Sequence, residues 1–99
     1  MQQKPTYAAI LESQDHKHLE RVAQVRDATL TDGALSTKVK TLMMMLCDSL
    51  LSHPQGVETI AGRARGLGAT EEEIAETLHV AFLMGGLPAL VTGCNAFDK

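Results

Sequence analysis

The stretch Ile60–Ile74, with the sequence IAGRARGLGATEEEI, decides the fold because it combines a helix end, a tight turn and a new helix start. Gly68 suits the left-handed residue that ends a helix, since it has no side chain to clash there. Thr70 and Glu73 have the spacing of a capping box, in which each side chain accepts a hydrogen bond from a backbone N–H. The glutamates at positions 71–73 fall in the first turn, where the helix dipole favours negative charge. We therefore predict two helices that meet at this turn.

Similar signals divide the rest of the chain into helices. Asp15 can cap a second helix, and Pro54 fits the first turn of a fourth, with the cap at residue 52 or 53. The pair Gly85–Gly86 breaks the fifth helix, and Pro88 opens a last one. No alternating pattern typical of a β-strand is present. The predicted helices run over about residues 6–13, 15–29, from 36 or 37 towards Pro54, 54–67, 71–84 and 88–96. The fold class that we predict is all-α, with five to six helices.

The third helix is apolar over most of its circumference, which bears on assembly. A helix of this kind must be covered on several sides, and in a small domain the cover is expected to include another subunit. We therefore expect an obligate homo-oligomer. The predicted inner stripes are Val39, Leu42, Met43, Leu46 and Leu50 on the third helix, with Met44, Met45 and Leu51 outside the stripe. The predicted inner stripe of the second helix consists of Leu19, Val22, Ala23 and Val25 or Arg26. That of the fifth helix consists of Ile74, Leu78, Ala81 and Phe82.

Composition limits the classes of protein that this chain can belong to. Its 99 residues predict one domain, 1–99, and 44% hydrophobic residues with only 3% aromatic ones suit close-packed helices. The net charge is −3 and no basic patch is present, so nucleic acid is not an expected partner. We see no signal peptide and no apolar run of bilayer-spanning length, and we expect no membrane association. Two cysteines fit reduced thiols in the cytoplasm, which is the expected location.

Over about residues 17–97 the chain resembles the alkyl hydroperoxidase D-like and carboxymuconolactone decarboxylase superfamily. The resemblance implies a compact helical domain that assembles as trimers or hexamers, with sites near subunit contacts. At the family level it implies peroxiredoxin-type hydroperoxide reduction or decarboxylation of a lactone, and no cofactor. The segments that carry it are Leu30–Ser36, Lys40, Leu42, Ala64, Gly68–Thr70, Glu72–Ile74, Glu76, His79–Ala81 and Gly86–Ala89.

The redox motif of that superfamily is degenerate in this chain. Its peroxidase members have a Cys-x-x-Cys pair with a histidine four residues after the second cysteine, on the helix that leads to the Gly-Ala-Thr turn. Counted back from that turn, the cysteine positions hold His53 and Gly56, and the histidine position holds Ile60. The usual upstream glutamate falls near Thr41. A two-cysteine thiol peroxidase is therefore not expected, because no thiolate can attack and no second thiol can resolve the product.

The chain's own cysteines do not restore this motif. Cys47 lies six residues before His53 and has no cysteine three residues away. A lone cysteine among Leu and Met is typically an inert buried side chain, and we expect this of both Cys47 and Cys94. A disulfide between them requires the last helix to fold back on the third.

Two histidines are the candidate catalytic residues. His53 occupies the first cysteine position and could carry a proton or line a ligand pocket with His79; alternatively, it only caps a helix beside Pro54. His79 could equally be a core or interface histidine. His16 and His18 are two residues apart and diverge on a helix, so we expect no metal site. Two functions remain: an enzyme or small-molecule binder that uses His53 and His79, or a catalytically silent oligomeric binding or scaffold protein.

Overall fold

The structure is a computed structural model that describes residues 6–97. Within them the chain forms helices only, as predicted: α1 (Thr6–Gln14), α2 (His16–Thr29), α3 (Thr37–Leu50), α4 (Pro54–Gly66), α5 (Glu71–Gly93) and a final 3₁₀ turn, Cys94–Phe97. The chain divides into two compact units, Met1–Thr31 and Asp32–Lys99. The assignment of residues 1–99 to one domain stays a prediction.

The first unit contains α1 and α2, and no residue of α2 is buried. Asp15 caps α2 as predicted, and its carboxylate accepts a hydrogen bond from the backbone N–H of His18 at 3.2 Å. Leu19, Val22 and Arg26 of the predicted stripe are half-buried. The other predicted members, Ala23 and Val25, are exposed. The stripe of α2 is therefore narrower than its sequence indicates.

The turn between α4 and α5 has the structure that its sequence predicts. Gly68 has a φ of +94°, and its N–H donates to the carbonyl of Arg65. The N–H of Ala69 donates to the carbonyl of Ala64 at 2.9 Å, which completes a Schellman motif. The capping box is present in both directions: Thr70 N–H donates to the Glu73 carboxylate, and Glu73 N–H donates to the Thr70 hydroxyl. This boundary follows from local chemistry alone.

The core of the second unit lies between α3, α4 and α5. The fully buried residues of α3 differ from those of the predicted stripe. The buried positions of α3 are Thr41, Met45 and Ser49, whereas Val39 and Met43 are exposed. Both hydroxyls donate to carbonyls of their own helix, Thr41 to Thr37 and Ser49 to Met45, so their burial leaves no unpaired polar group. The core consists of Met45, Val57, Ile60, Ala61, Ala64, Ala69, Ile74, Leu78 and Ala96.

The small residues Ser49 and Gly93 explain why α3 turns its Thr41 and Ser49 side towards the core. A Cβ built on Gly93 would lie 2.5 Å from the side chain of Leu78 and 3.1 Å from the Ser49 hydroxyl oxygen. The end of α5 therefore approaches α3 so closely that only a small side chain fits between them. The predicted stripe of α3 is therefore buried only in part: Leu50 at its end is exposed, contrary to the prediction, whereas Leu42 packs against the core.

α5 bends at Gly86, which has a φ of +75° and a non-helical ψ of −163°. The predicted break is therefore present, and a second helical arm follows it to Gly93. Ile74, Leu78 and Ala81 are buried as predicted. Phe82 is exposed, so its placement in the core is wrong. It belongs instead to a set of exposed apolar side chains, here named the α5 apolar face: Val80, Phe82, Leu83, Met84, Leu87 and Val91.

The segment Glu71–Phe97 is long and apolar enough to cross a bilayer by length and composition, and 22% of its most apolar stretch is buried. The expectation that no segment reaches this length is therefore wrong. Core helices of soluble proteins meet the same criterion. The bend at Gly86 leaves a first arm of 15 residues, Glu71 to Gly85, which spans about 22 Å at 1.5 Å per residue, less than the roughly 30 Å of a hydrocarbon core.

Candidate functional site

The candidate site lies where α3 ends and α4 begins. The N–H of Leu51 donates to the carbonyl of Cys47, and the N–H of His53 donates to the carbonyl of Asp48 at 2.9 Å. Between them, Ser52 has a φ of +62°, the left-handed conformation that helix ends normally assign to glycine. This turn brings His53 back beside the last turn of α3. Strained non-glycine residues of this kind often mark functional segments.

His53 and Asp48 form a side-chain pair across this turn. Nδ1 of His53 lies 3.0 Å from Oδ1 of Asp48, and the side chains are 57% and 25% exposed. Because an ionised carboxylate only accepts hydrogen bonds, Nδ1 is the donor in this contact, and in the neutral ring Nε2 then holds the lone pair. Histidines held in this way by a carboxylate are general bases in many enzymes, since the partner sets the tautomer and the ring orientation.

Gly56 lies directly against this pair. A Cβ built on Gly56 would be 2.5 Å from Oδ2 and 2.8 Å from Cγ of Asp48, distances that real side chains do not adopt. The first turn of α4 and the carboxylate of Asp48 therefore approach each other more closely than any other residue at position 56 allows.

An open cleft of about 530 Å³ surrounds the pair and is lined by Asp48, Ser52, His53, Pro54, Gln55 and Gly56. Among these described residues there is no Lys or Arg. His53 makes no side-chain capping bond to α4, and the first N–H groups of a helix have no partner within it. The cleft therefore combines a carboxylate, an imidazole and the amide-rich start of a helix.

The other sequence-predicted positions lie elsewhere. His79 is exposed on α5 and does not line the cleft, which excludes the core alternative for this histidine. Thr41 and Ile60, at the positions of the superfamily's glutamate and histidine, are both buried, and Ile60 belongs to the hydrophobic core. Apolar packing therefore occupies the position where the superfamily has its proton-carrying histidine.

Both cysteines are exposed and unpaired, contrary to the expectation that they are buried. Cys47 lies on the outer face of α3, because that helix turns Met45 and Ser49 inward. The structure has no disulfide between Cys47 and Cys94.

The sequence analysis did not predict that Asp48 belongs to the site, and it named residue 52 only as a possible helix cap and Gly56 only as the replacement of a cysteine. Asp48 carried a usable signal, because it is the only Asp, Glu, Lys or Arg between Thr41 and Val57. A single carboxylate in the last turn of an apolar helix, just before a histidine, indicates a specific contact rather than a solvated face. The role of Gly56 depends on contact between two helices and has no local sign.

The polar side chains at the turn between α4 and α5 have structural partners. Arg65 donates through Nε and Nη2 to the Glu71 carboxylate at 2.8 and 2.9 Å, and through Nη2 to the carbonyl of Ala96. The hydrogen bond to Glu71 raises the pKa of Arg65. Within residues 6–97, no group of three or more His, Cys, Asp or Glu side chains is placed to hold a metal ion.

Comparison with known proteins identifies one family. A family model described as "Carboxymuconolactone decarboxylase family" matches residues 17–99, which is more than four fifths of the chain. This match confirms the resemblance inferred from the helix-turn segments. No curated protein matches the chain.

Proposed function

The chain belongs to the carboxymuconolactone decarboxylase family, and on this premise we propose that it is a member without thiol chemistry that binds a small molecule in the Asp48–His53 cleft. His53 exchanges a proton with that molecule through Nε2. The observation that carries this proposal is the 3.0 Å contact between His53 Nδ1 and Asp48 Oδ1, which orients the imidazole.

Hydroperoxide reduction, one of the two activities that the resemblance implies, has little support in this chain. The two positions of the cysteine pair hold His53 and Gly56, and Cys47 has no second thiol three residues away. Reduction of a peroxide by a thiol pair requires one sulfur to attack and another to resolve the product. The site instead offers acid–base groups.

The lining of the cleft favours a substrate of low charge. Asp48 contributes a negative charge and no Lys or Arg lines the cleft, so a polyanionic lactone would be repelled rather than bound. Arg65 does not line the cleft and is bonded to Glu71 and Ala96. An uncharged or singly charged carbonyl compound, such as a simple lactone, fits these groups better.

Proton transfer next to a carbonyl group is the chemistry that the side chains support. Nε2 of His53 takes a proton from the carbon beside the carbonyl, and Asp48 stabilises the imidazolium ion that forms. The N–H groups of Gln55 and Gly56, in the first turn of α4, are donors for the oxygen that becomes negative. The imidazolium then returns the proton to the same carbon, or to the γ carbon when the substrate is a β,γ-unsaturated lactone. A positioned general base of this type contributes about 10² to 10⁴ in rate.

Binding is tested by NMR with a panel of simple lactones added to the full chain. We expect amide shifts concentrated at Gln55 and Gly56, and weaker binding or altered shifts in His53→Gln. Thr59→Gln, on the exposed side of α4, is the matched control and should behave as the wild type. Shifts that avoid the cleft, or no shifts with any lactone, would contradict the proposal.

Self-association is a second part of the proposal, with a second copy of this chain as the partner. Leu83, Met84 and Leu87 of the α5 apolar face are 79%, 71% and 63% exposed, an arrangement that favours burial against another surface. Residues 77–97 contain no Asp, Glu, Lys or Arg. Without flanking cations the face lacks the usual anchors for lipid headgroups, whereas an identical apolar face is a suitable partner. A trimer or hexamer is the expected assembly.

The same proposal places the protein in the cytoplasm, which its two unpaired cysteines support.

A catalytically silent oligomeric binding or scaffold protein is the second candidate function. The α5 apolar face favours it, because assembly needs no chemistry at the cleft. The two functions differ in one observable, turnover: the enzyme shows turnover that His53→Gln abolishes, whereas the scaffold shows none even in the wild type.

A further inference from the structure

We propose that Gly56 is a positioning residue for the pair Asp48–His53, and that its lack of a side chain is what allows the pair to form. This inference rests on the proposed function of the cleft. It concerns how the imidazole is held, not which molecule it acts on.

The geometry leaves no room for a side chain at position 56. A Cβ there would lie 2.5 Å from Oδ2, 2.8 Å from Cγ and 3.3 Å from Oδ1 of Asp48. The backbone of α4 is fixed by the core residues Val57 and Ile60, which follow on the same helix and are buried. The carboxylate is the part that can move, because the Asp48 side chain is 25% exposed. Any side chain at position 56 therefore displaces the carboxylate from His53.

This displacement changes the chemical state of His53. While Asp48 accepts from Nδ1–H, the lone pair lies on Nε2, the nitrogen that remains available to the cleft. Without the carboxylate the ring reverts to the tautomer that free histidine prefers, with the proton on Nε2. That tautomer cannot accept a proton at Nε2, so the general base is weakened although His53 is still present.

A consequence concerns the superfamily's cysteine motif. A thiol at the position of Gly56 would contain the same Cβ and would therefore meet the Asp48 carboxylate. A cysteine at position 56 and the pair Asp48–His53 exclude each other in this fold. We infer that the glycine is a requirement of the acid–base site rather than a neutral loss of the second thiol.

The test is the tautomer of His53, measured in the full chain by long-range ¹H–¹⁵N NMR at neutral pH. We expect the wild type to carry the proton on Nδ1. Gly56→Ala and Asp48→Asn should each shift His53 to the Nε2–H form. The variant that combines the two substitutions should show the same tautomer as either one alone. Gly62→Ala is the matched control, since a Cβ at Gly62 on the same helix meets no atom within 4 Å.

The stability of the variants separates positioning from simple packing. Alanine has a higher helix propensity than glycine, so Gly56→Ala should remain folded once the carboxylate has moved. If it unfolds, Asp48→Ser combined with Gly56→Ala should restore folding, because the shorter side chain removes the clash. The inference is overturned if folded Gly56→Ala keeps the Nδ1–H tautomer of the wild type. It is also overturned if the Asp48→Ser, Gly56→Ala double variant stays unfolded.

The measurements distinguish a failure of the positioning role from a failure of the proposed activity. If Gly56→Ala changes the tautomer but no lactone binds or reacts in the wild type, the positioning role stands and the proposed activity fails. If lactones react in both the wild type and Gly56→Ala with the same tautomer, the positioning role fails and the activity stands.

Discussion

His53 Nδ1 and Asp48 Oδ1 lie 3.0 Å apart across the turn that joins α3 to α4. The two residues are also linked through the backbone, since the N–H of His53 donates to the carbonyl of Asp48. The side-chain contact is therefore built on a helix-ending motif that fixes both residues relative to each other. This relationship stands where the superfamily's peroxidase members have a cysteine, and in the function that we propose an acid–base pair takes the place of the thiol.

Peroxide consumption should not depend on the protein's thiols. We expect the chain to accelerate the reaction of hydrogen peroxide with a dithiol no more than Cys47→Ser does, because neither exposed cysteine has a resolving partner. Peroxide loss is followed over time with equal protein concentrations. Rapid turnover in the wild type that disappears in Cys47→Ser, or after alkylation of Cys47 or Cys94, would contradict the acid–base assignment.

Ser52→Gly should stabilise the protein. A left-handed conformation costs a non-glycine residue about 1 to 2 kcal/mol, and the added freedom of glycine in the unfolded chain offsets part of this gain. We expect the free energy of unfolding to rise by about 0.5 to 1 kcal/mol in urea titrations. Ser52→Val should lower it, since a β-branched side chain suits this conformation least. A destabilised Ser52→Gly would show that the hydroxyl has a role that the backbone does not explain.

Glu73 should contribute to stability at neutral pH and not in acid. Hydrogen bonds from the Thr70 N–H and then from Lys38 lower the pKa of Glu73 below its ordinary value. A carboxyl whose pKa is lowered by folding stabilises the protein above its unfolded pKa, and this stability is lost as the pH falls through the folded pKa.

The measurement is the free energy of unfolding of the wild type and Glu73→Gln at several pH values from 7 downwards. The difference between them should be largest near neutral pH and should shrink in acid. Glu72→Gln, in the same helical turn, is the control and should show a smaller pH dependence. A constant difference for Glu73→Gln across the range would refute the assignment.

Charge on the α5 apolar face should weaken assembly. We expect Leu83→Asp and Leu87→Asp to lower the mass measured by light scattering, because each places a charge on the exposed apolar surface that we propose for self-association. Thr59→Asp on α4 introduces the same charge at an exposed polar position and should leave the mass unchanged. A wild-type monomer at all concentrations, or an unaltered mass in both leucine variants, would remove self-association from the proposal.

Local chemistry accounts for what the sequence predicted well. The end of α4 at Gly68 and the start of α5 at Thr70 depend on residues within one turn of each other, so the pattern alone is sufficient. The break at Gly86 is predictable for the same reason.

Packing between helices accounts for what the sequence analysis missed. The apolar stripe of α3 was the stronger periodic signal, yet Thr41 and Ser49 are buried because their hydroxyls bond to their own helix and their small size admits α5. Hydropathy alone counts such residues as polar. The candidate site was missed in part for the same reason. His53 was identified from the superfamily's spacing, whereas the role of Gly56 follows from the close approach of α4 to Asp48.

The most direct test of the central claim is deuterium incorporation next to the carbonyl of a simple lactone in D₂O, followed by ¹H NMR. The account predicts catalysed exchange by the wild type and a loss of about 10² to 10⁴ in His53→Gln. For Asp48→Asn it predicts a loss of about 10- to 100-fold, as expected for the partner of a catalytic histidine. Equal exchange rates in the wild type and His53→Gln, or no exchange above the uncatalysed rate in the wild type, would contradict the claim that an acid–base pair has replaced the thiol site.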